Sequence, residues 1–350
     1  VSIIHCGGTV ASRVEYTTGA VAPAFSPEEL SNAVPEIFEI ANIRVVELMN
    51  IFSENMVPSH WIMMARAVEK EFRDGARGVI LTHGTDTMHY SSAALAFMLE
   101  NPPGPIVFTG AMRSSDRPAS DAATNLIASV RTACETDIGE SVIVMHSSPN
   151  DTFCAVLRGV RTVKLHSCRR DAFRSIGIGP IAVVRERVRY LTTYQRAGSP
   201  EDFAVRPFFE EKVALIYSYP GITGELIDSL IDRGYRGLVI AGTGLGHVPD
   251  YLTESLSRAI SEGVIVTMTT QCLWGGVFMN VYETGRMLQK IGVIPLYTML
   301  PHTAYVKLGW LLGQDLSPKE LRAMLLSNLR LEYVEREPID NFPQMGALDQ

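Results

Sequence analysis

Short apolar runs rich in β-forming residues alternate along this chain with segments of helical periodicity, and this alternation constrains the fold most strongly. It predicts βαβ units, in which parallel strands form a sheet that helices cover. Strands are predicted in the first part at residues 1–5, 44–49, 78–82, 105–109 and 142–146, and later at 213–217, 237–241 and 264–268. The predicted fold class is therefore α/β, with mainly parallel sheets.

Helices are predicted between and after these strands. The first begins at Ser26, where Pro27 and Glu29 complete a capping box. The next cover 59–74, the stretch after Asp86, and 119–134. In the last part of the chain, helices are predicted at 224–233, 253–262, 283–291, 303–312 and 318–331.

The length of 350 residues and one interruption of the rhythm predict two domains. Glycine and proline punctuate the interruption among charged residues, which is typical of a linker. The predicted organisation is a first domain at 1–189, a linker at 190–212, a smaller second domain at 213–336 and a loose tail at 337–350. The chain opens at Val1, inside an apolar stretch and without an initiator Met, so we expect native sequence upstream.

Composition excludes several classes of protein. The net charge of −7 argues against a generally basic surface for nucleic acid, because phosphate neutralisation needs clustered Lys and Arg. The five cysteines have no CxxC spacing, which favours free thiols in a reducing cytoplasm and predicts neither a zinc site nor disulfides. No uncharged apolar run reaches the roughly 18–20 residues of a membrane span. No metal site is predicted.

Polar and small residues follow four successive strands of the first domain. The segments are Gly7-Gly8-Thr9, residues 50–56, residues 83–87 and residues 110–113. Because ligands bind at the carboxyl ends of strands in open parallel sheets, these four turns predict one site. In the first turn, two glycines permit a close approach to a ligand, and Thr9 supplies a hydroxyl. Alone, that turn is more typical of a tight turn with a capping threonine.

The third turn has a higher density of polar groups. Helix capping explains one of Thr85 and Asp86, but not the four residues Thr82, Thr85, Asp86 and Thr87 behind one buried strand. A hydroxyl nucleophile needs a base, and a lysine kept neutral by its surroundings could serve. Lys164 lies in a basic stretch, and composition alone leaves open that it is a solvated surface charge.

Three segments resemble the signatures of asparaginases and glutaminases: HCGGTVAS at 5–12, THGTDT at 82–87 and FTGAMR at 108–113. Residues 114–121, 164–175 and 242–247 more narrowly resemble the D-type subunits of archaeal-type glutamyl-tRNA(Gln) amidotransferases. The resemblance covers nearly the whole chain. It implies a larger flavodoxin-like N-terminal domain, a smaller C-terminal domain, and release of ammonia from glutamine or asparagine.

The resemblance also implies catalytic roles for individual residues. Thr9 resembles the first nucleophilic threonine, and Tyr16 would contact its hydroxyl from a loop at 11–24 that closes over the site. Thr85, Lys164 and Asp86 resemble a second group, in which the lysine assists the threonine. Which of the two threonines attacks first stays open.

Further residues would bind the substrate. Ser53 would hold the α-carboxylate, with Glu54 near the α-amino group and Asp86 helping to hold the ammonium. The carbonyl of Ala111 would face the side-chain amide, and the backbone N–H at Gly8 would lie at the mouth of the first turn. Cys6 stands where the family commonly has threonine or serine, which removes none of these groups.

The resemblance implies partners as well. In the family, a small β-barrel-like domain precedes the part seen here. The ammonia passes to a partner, the E-type subunit of the amidotransferase, which binds tRNA(Gln) and uses ATP and magnesium, so no cofactor is expected in this chain itself. A homodimer core is expected. The stretch 158–174 would either touch nucleic acid or the E-type subunit, or pair its arginines internally with residues such as Asp171. Two alternatives are a free-standing asparaginase and a non-catalytic small-molecule binding module.

Overall fold

The computed structural model describes residues 1–8, 12–14, 21–23, 33–114 and 118–343, with the backbone alone at 12–14 and 21–23. They divide into two compact units. The first comprises Val1–Ser175 and Gly179–Pro207, and the second comprises Ile176–Ile178 and the chain from Phe208. The predicted α/β class with two domains of mainly parallel sheets is confirmed.

The first unit is built on one large sheet. Its eight strands are β1 (Ser2–His5), β4 (Arg44–Glu47), β5 (Val79–Thr82), β7 (Ile106–Thr109), β8 (Ser141–His146), β9 (Cys154–Arg158), β12 (Ala182–Val184) and β13 (Val188–Tyr190). Small two-stranded sheets join β2 (Ser12–Val14) to β3 (Val21–Pro23), β6 (Leu99–Glu100) to β14 (Ala204–Val205), and β10 (Thr162–Lys164) to β11 (Phe173–Ser175).

The order of strands in the large sheet is β13-β12-β9-β8-β7-β5-β1-β4. Strands β4, β1, β5, β7 and β8 are parallel, whereas β9, β12 and β13 continue the sheet in antiparallel pairs. Every residue of β1, β5, β7 and β8 is buried. Burial on both faces explains why these strands are continuous apolar runs without alternation, which is the pattern that predicted them.

Four helices of the described part pack in the first unit. They are α1 (Glu36–Ile40), α2 (Pro58–Arg73), α3 (Met88–Met98) and α4 (Ala122–Glu135). Helix α2 begins with proline at its first turn, where the missing N–H would have no intrahelical partner. Residues 24–32, which include the helix start predicted at Ser26, lie outside the described residues.

The second unit is a smaller parallel α/β domain. Its sheet has the order β15 (Val213–Tyr217), β16 (Gly237–Gly242), β17 (Ile265–Thr270) and β18 (Ile294–Pro295). Its helices are α5 (Gly224–Asp232), α6 (Thr253–Ser261), α7 (Glu283–Ile291), α8 (Pro301–Leu312) and α9 (Pro318–Leu326). A core of aliphatic side chains fills the space between the sheet and helices α5, α6 and α7.

The structure differs from the sequence predictions at three boundaries. The first unit extends to Pro207 rather than to residue 189, because β14 pairs with β6 within it. Helix α9 ends at Leu326 rather than 331, since the Glu332 carboxylate binds the backbone N–H groups of Leu329 and Arg330. Part of the predicted tail packs on the second unit, where Glu337 accepts a hydrogen bond from the backbone of Gly275.

Candidate active site

The four polar turns predicted from sequence follow four neighbouring strands of one sheet. Strands β7, β5, β1 and β4 lie side by side and run in the same direction. Their carboxyl ends therefore lie on one edge of the first unit. This is the edge at which parallel α/β sheets bind ligands.

The first turn lies in close contact with its neighbours. Gly7 and Gly8 have positive φ angles of 107° and 86°. A Cβ atom on Gly7 would lie 2.1 Å from the carbonyl oxygen of Ile51, and one on Gly8 would lie 2.7 Å from the carbonyl carbon of His83. Only glycine combines this conformation with such close contact, so the two residues hold the turns after β1, β4 and β5 together.

The residues that follow are the predicted nucleophile Thr9 and its predicted contact Tyr16. Both lie outside the described residues, as does most of the predicted lid at 11–24. Their roles stay predictions from the resemblance.

Lys164 reaches the turn after β5 from a separate hairpin. It is the last residue of β10, and its Nζ donates hydrogen bonds to Oγ1 of Thr85 at 2.8 Å and to Oδ1 of Asp86 at 2.6 Å. The side chain of Lys164 is 8% exposed, whereas that of Asp86 is 67% exposed. The amine is therefore largely shielded from solvent, whereas its carboxylate partner is mainly exposed. The alternative of a solvated surface lysine is wrong.

His89 lies close to this group without adding charge to it. Burial, reinforced by the nearby Lys164 ammonium, lowers the pKa of His89 to about 4. The imidazole is therefore neutral at physiological pH and places no charge beside the contact between Lys164 and Thr85.

Ser53 and Glu54 lie in the turn after β4, within a short 3₁₀ helix at Ser53–Asn55. Ser53 is buried, and its carbonyl accepts a hydrogen bond from the hydroxyl of Thr87 at 2.7 Å. A Cβ atom added to Gly84 would lie 2.8 Å from Oγ of Ser53, so the serine side chain points towards the turn after β5. Glu54 is exposed.

Ala111 lies in the turn after β7 and is 5% exposed. A Cβ atom on the preceding Gly110 would lie 2.6 Å from the carbonyl oxygen of His83 and 3.2 Å from Cγ2 of Thr85. This close contact fixes the position of the fourth turn relative to the third. The structure thus brings together the described parts of all four turns.

His83 is a structural histidine in the middle of the site. Its Nδ1 donates to the carbonyl of Gly84 at 2.6 Å, and its Nε2 accepts from Ser91 at 2.8 Å, whose hydroxyl in turn accepts from Trp61. Burial lowers the pKa of His83 to about 4. The ring is neutral and orients the backbone just before Thr85.

The basic stretch at 158–174 pairs internally. Arg158 and Arg161 are buried, and the Arg158 guanidinium binds Glu140. Asp171 accepts hydrogen bonds from Arg169 and Arg174. These contacts support the internal-pairing alternative.

The described residues contain neither a cluster of metal ligands nor a membrane-spanning helix. In this part of the chain, no group of three or more His, Cys, Asp or Glu side chains is arranged to hold a metal ion. No helix within the same residues combines the length and apolar character needed to cross a bilayer.

Comparison with known proteins places this geometry in a family. Residues 1–196 match the family described as asparaginase, N-terminal, and residues 212–325 match the glutaminase/asparaginase C-terminal domain. The chain is 52% identical over 344 residues to the D-type subunit of glutamyl-tRNA(Gln) amidotransferase from Pyrococcus abyssi, covering 98% of this chain and 78% of that protein. It belongs to the asparaginase family, in the branch of the D-type amidotransferase subunits.

Other relatives agree with this assignment. The D-type subunit from Methanothermobacter thermautotrophicus is 50% identical over 98% of this chain and 78% of its own length. Among solved structures, the thermostable L-asparaginase from Thermococcus kodakarensis has a TM-score of 0.84 at 30% identity, with 95% of this chain and 98% of that chain covered. L-asparaginase I from Vibrio cholerae has a TM-score of 0.83 at 29% identity, covering 95% and 98% of the two chains. The resemblance and fold predicted from the sequence are confirmed.

Sequence reasoning missed a buried polar cluster behind the turn after β7. Asp121 and Asn125 lie at the start of α4, and His146 ends β8. Asp121 and Asn125 are four residues apart and therefore share a helix face, which is the one signal the sequence offered. His146 is distant in sequence, and no pattern connected it to the helix.

Proposed function

We propose that this chain hydrolyses the side-chain amide of glutamine or asparagine and releases ammonia for an amidotransferase that converts Glu-tRNA(Gln) to Gln-tRNA(Gln). The support is its identity of 52% to a protein named as the D-type subunit of glutamyl-tRNA(Gln) amidotransferase. The thermostable L-asparaginase of Thermococcus kodakarensis is less similar, at 30% identity. The amidotransferase component is therefore favoured over the free-standing asparaginase.

The chemistry is acyl transfer through a threonine. The hydroxyl oxygen attacks the amide carbon, and the hydroxyl proton passes to the nitrogen, which leaves as ammonia. Water then cleaves the threonyl ester and regenerates the hydroxyl. Thr9 and Thr85 are the two threonines for these steps, and Tyr16 would assist Thr9. Either threonine can make the first attack under this proposal.

The observation that carries the proposal is the contact between Lys164 and Thr85. Its Nζ–Oγ1 distance of 2.8 Å is the distance that proton transfer to or from a hydroxyl requires. Asp86 completes the group, and its mainly exposed carboxylate is open to a substrate ammonium. A binding module without catalytic function does not require an amine in contact with a threonine hydroxyl, and this disfavours that alternative.

The remaining assignments concern substrate and partners. Ser53 would bind the α-carboxylate, with Glu54 near the α-amino group and Gly8 and Ala111 contributing backbone groups near the amide. The E-type subunit would receive the ammonia and supply ATP and magnesium, and it would make most of the contact with tRNA(Gln). The complex would be cytoplasmic, around a homodimer of this chain.

The first experiment measures ammonia release from free glutamine and asparagine. The unmodified chain should release ammonia, and both Thr9→Val and Thr85→Val should lower turnover by at least about a hundredfold with the fold intact by circular dichroism. Full activity in either variant would remove that threonine from the mechanism. Activity of both variants equal to the unmodified chain would refute threonine catalysis.

A second part of the experiment distinguishes an amidotransferase component from a free-standing asparaginase. Ammonia release is measured with and without the E-type subunit and glutamyl-tRNA(Gln). We expect the partner complex to raise the rate, because a component that feeds an amidotransferase wastes substrate when it acts alone. Fast asparagine hydrolysis that the partner leaves unchanged would favour the free-standing asparaginase.

A further inference from the structure

A buried network of polar side chains supports the turn that carries Ala111. The amide nitrogen of Asn125 donates to the carbonyl of Gly110 at 2.9 Å and to the carboxylate of Asp121 at 2.9 Å. Asp121 in turn accepts from the backbone N–H groups of Met112 at 3.0 Å and Arg113 at 2.9 Å. Asn125 of α4 and Asp121, the residue just before that helix, are both fully buried, so the turn after β7 is held by two buried side chains.

These contacts also fix the orientation of Asn125. Since its nitrogen faces two acceptors, its oxygen must face the other way, and it accepts from Nδ1 of His146 at 2.6 Å. The second ring nitrogen of His146, Nε2, lies 2.9 Å from Oδ1 of Asp151. A neutral ring with its proton on Nδ1 would direct a lone pair at that carboxylate. Only the doubly protonated ring satisfies both contacts.

Asp151 forms the outer end of the network. Its side chain is 62% exposed, whereas that of His146 is fully buried. The hydrogen bond from His146 has the largest effect on the pKa of Asp151 and lowers it, so this carboxyl stays ionised. Arg170 donates to the same oxygen at 2.8 Å and also to the carbonyl of Ala119. The hairpin loop that follows Lys164 is thereby tied to the segment that follows the turn.

The other groups around the ring do not supply its counter-charge. The thiol of Cys154 lies 4.0 Å from Nδ1 and 3.5 Å from the oxygen of Asn125, and burial raises its pKa to about 12. The Asp121 carboxylate is engaged by two backbone N–H groups and by Asn125. Asp151 is therefore the anion that directly faces the imidazolium.

We propose that His146, held as an imidazolium between Asn125 and Asp151, is a positioning residue for the amide-hydrolysis site. It acts through Asn125 on Gly110, and so on the backbone at Ala111. This inference rests on the proposed function, because it concerns the same site. It assigns no direct contact with substrate to any member of the network.

The test compares two aspartates of nearly equal exposure in the full chain. Asp151→Asn removes the anion that holds the imidazolium. Asp232→Asn is the matched control, since Asp232 is 63% exposed and pairs with Arg258 at 2.5 Å in the second unit. We expect Asp151→Asn to lower kcat for glutamine or asparagine about tenfold and to change KM less than about twofold, as the loss of one charged hydrogen bond allows.

Rescue and spectroscopy complete the test. Asp151→Glu keeps the charge and should recover most of the kcat, which a purely structural loss of stability would not predict. Nitrogen NMR of histidine-labelled protein, with the His146 signal identified by its loss in His146→Gln, should show protons on both ring nitrogens at pH 7.

The outcomes separate this inference from the proposed function. A kcat for Asp151→Asn equal to that of Asp232→Asn in an active chain would overturn the positioning role. If the unmodified chain hydrolysed neither amide, the proposed function would fail. In that case a neutral His146 in the NMR spectrum would overturn the inference as well, and a doubly protonated ring would support its physical basis.

Discussion

Lys164 contacts Thr85 and Asp86 although it is 79 and 78 residues away from them in sequence. The short strand β10 ends at this residue and directs the amine towards the turn after β5. One nitrogen therefore contacts both a hydroxyl and a carboxylate, and its function depends on whether it exchanges a proton or only supplies charge. Two substitutions of Lys164 distinguish these roles.

Replacement of Lys164 by Met removes the amine and keeps most of the side-chain stem. We expect kcat to fall by about 10² to 10⁴, the usual contribution of a positioned acid or base. The unfolding free energy should change by less than about 1 kcal/mol, because Asp86 is mainly exposed and stays hydrated when the amine is removed. Steady-state kinetics and denaturant unfolding measure the two quantities.

Lys164→Arg and Lys290→Met serve as comparisons. Arginine keeps the charge but does not exchange its proton, so Lys164→Arg should stay as inactive as Lys164→Met if proton transfer is the role. Lys290 is exposed on α7, and its replacement should leave activity unchanged. Near-normal turnover in Lys164→Met would exclude the lysine from the mechanism.

At the scale of elements, the hairpin of β10 and β11 determines the position of Lys164. These strands pair antiparallel, with Lys164 opposite Phe173. The connecting loop is held by Asp171, whose side chain is 2% exposed and accepts hydrogen bonds from Arg169 at 2.8 Å and from Arg174 at 2.5 Å. The loop is thus held together by one buried carboxylate.

This carboxylate makes the hairpin sensitive to acid. Burial acts to raise the pKa of Asp171, but the hydrogen bonds from Arg169 and Arg174 outweigh it and lower the pKa to about 2. Because the folded pKa lies below the unfolded value of about 3.9, the stabilisation is complete above pH 4 and is lost as the pH falls towards 2. The ionised carboxylate of Asp171 stabilises the folded state by an amount on the order of 2 kcal/mol.

Denaturant unfolding at pH 7, 4 and 2.5 tests this expectation with Asp171→Asn. The unmodified chain should lose more stability between pH 4 and 2.5 than the variant, which lacks the titrating group. The variant should also be less stable by about 2 kcal/mol at pH 7. Parallel pH curves for the two proteins would show that the acid sensitivity has another source.

Some of the strands and helices can be predicted from the sequence, and others cannot. All parallel strands except the two-residue β18 were predicted, and those buried on both faces require unbroken apolar runs. The antiparallel strands β9, β12 and β13 were missed; β12 and β13 have only three residues each, and β13 contains Arg189. Helix α9 was predicted too long, because helical periodicity carries no information about the Glu332 carboxylate that captures the following turn.

For the site, sequence patterns identified the turns but not the side chains that reach them from elsewhere. The turns after β1, β4, β5 and β7 follow from strand order, which local patterns reveal. Lys164 was selected by resemblance alone, and the pairing of His146 with Asn125 across 21 residues was not anticipated. Such contacts depend on where hairpins and helices pack, and the short-range periodicity of a single sequence does not indicate this packing.

On the scale of the whole molecule, one fully buried ion pair stands out in the second unit. Lys307 on α8 donates to Glu332 at 2.5 Å and to the carbonyls of Leu325 and Ser327, and both charged side chains are fully buried. Burial lowers the pKa of Lys307, although Glu332 opposes that shift. The pair joins α8 to the chain that follows α9, so the last part of the fold depends on it.

Replacement of Lys307 by Met should destabilise the protein by about 3–5 kcal/mol, because the Glu332 carboxylate would remain buried without its cation. The free energy of unfolding of a native protein is typically about 5–15 kcal/mol, so this loss is a large share of it. The variant should therefore unfold at a much lower denaturant concentration. The double variant Lys307→Met with Glu332→Gln should recover part of the loss, since it leaves no buried charge. Lys290→Met is the exposed control. A change below about 1 kcal/mol in Lys307→Met would mean that the chain after α9 rearranges to hydrate Glu332.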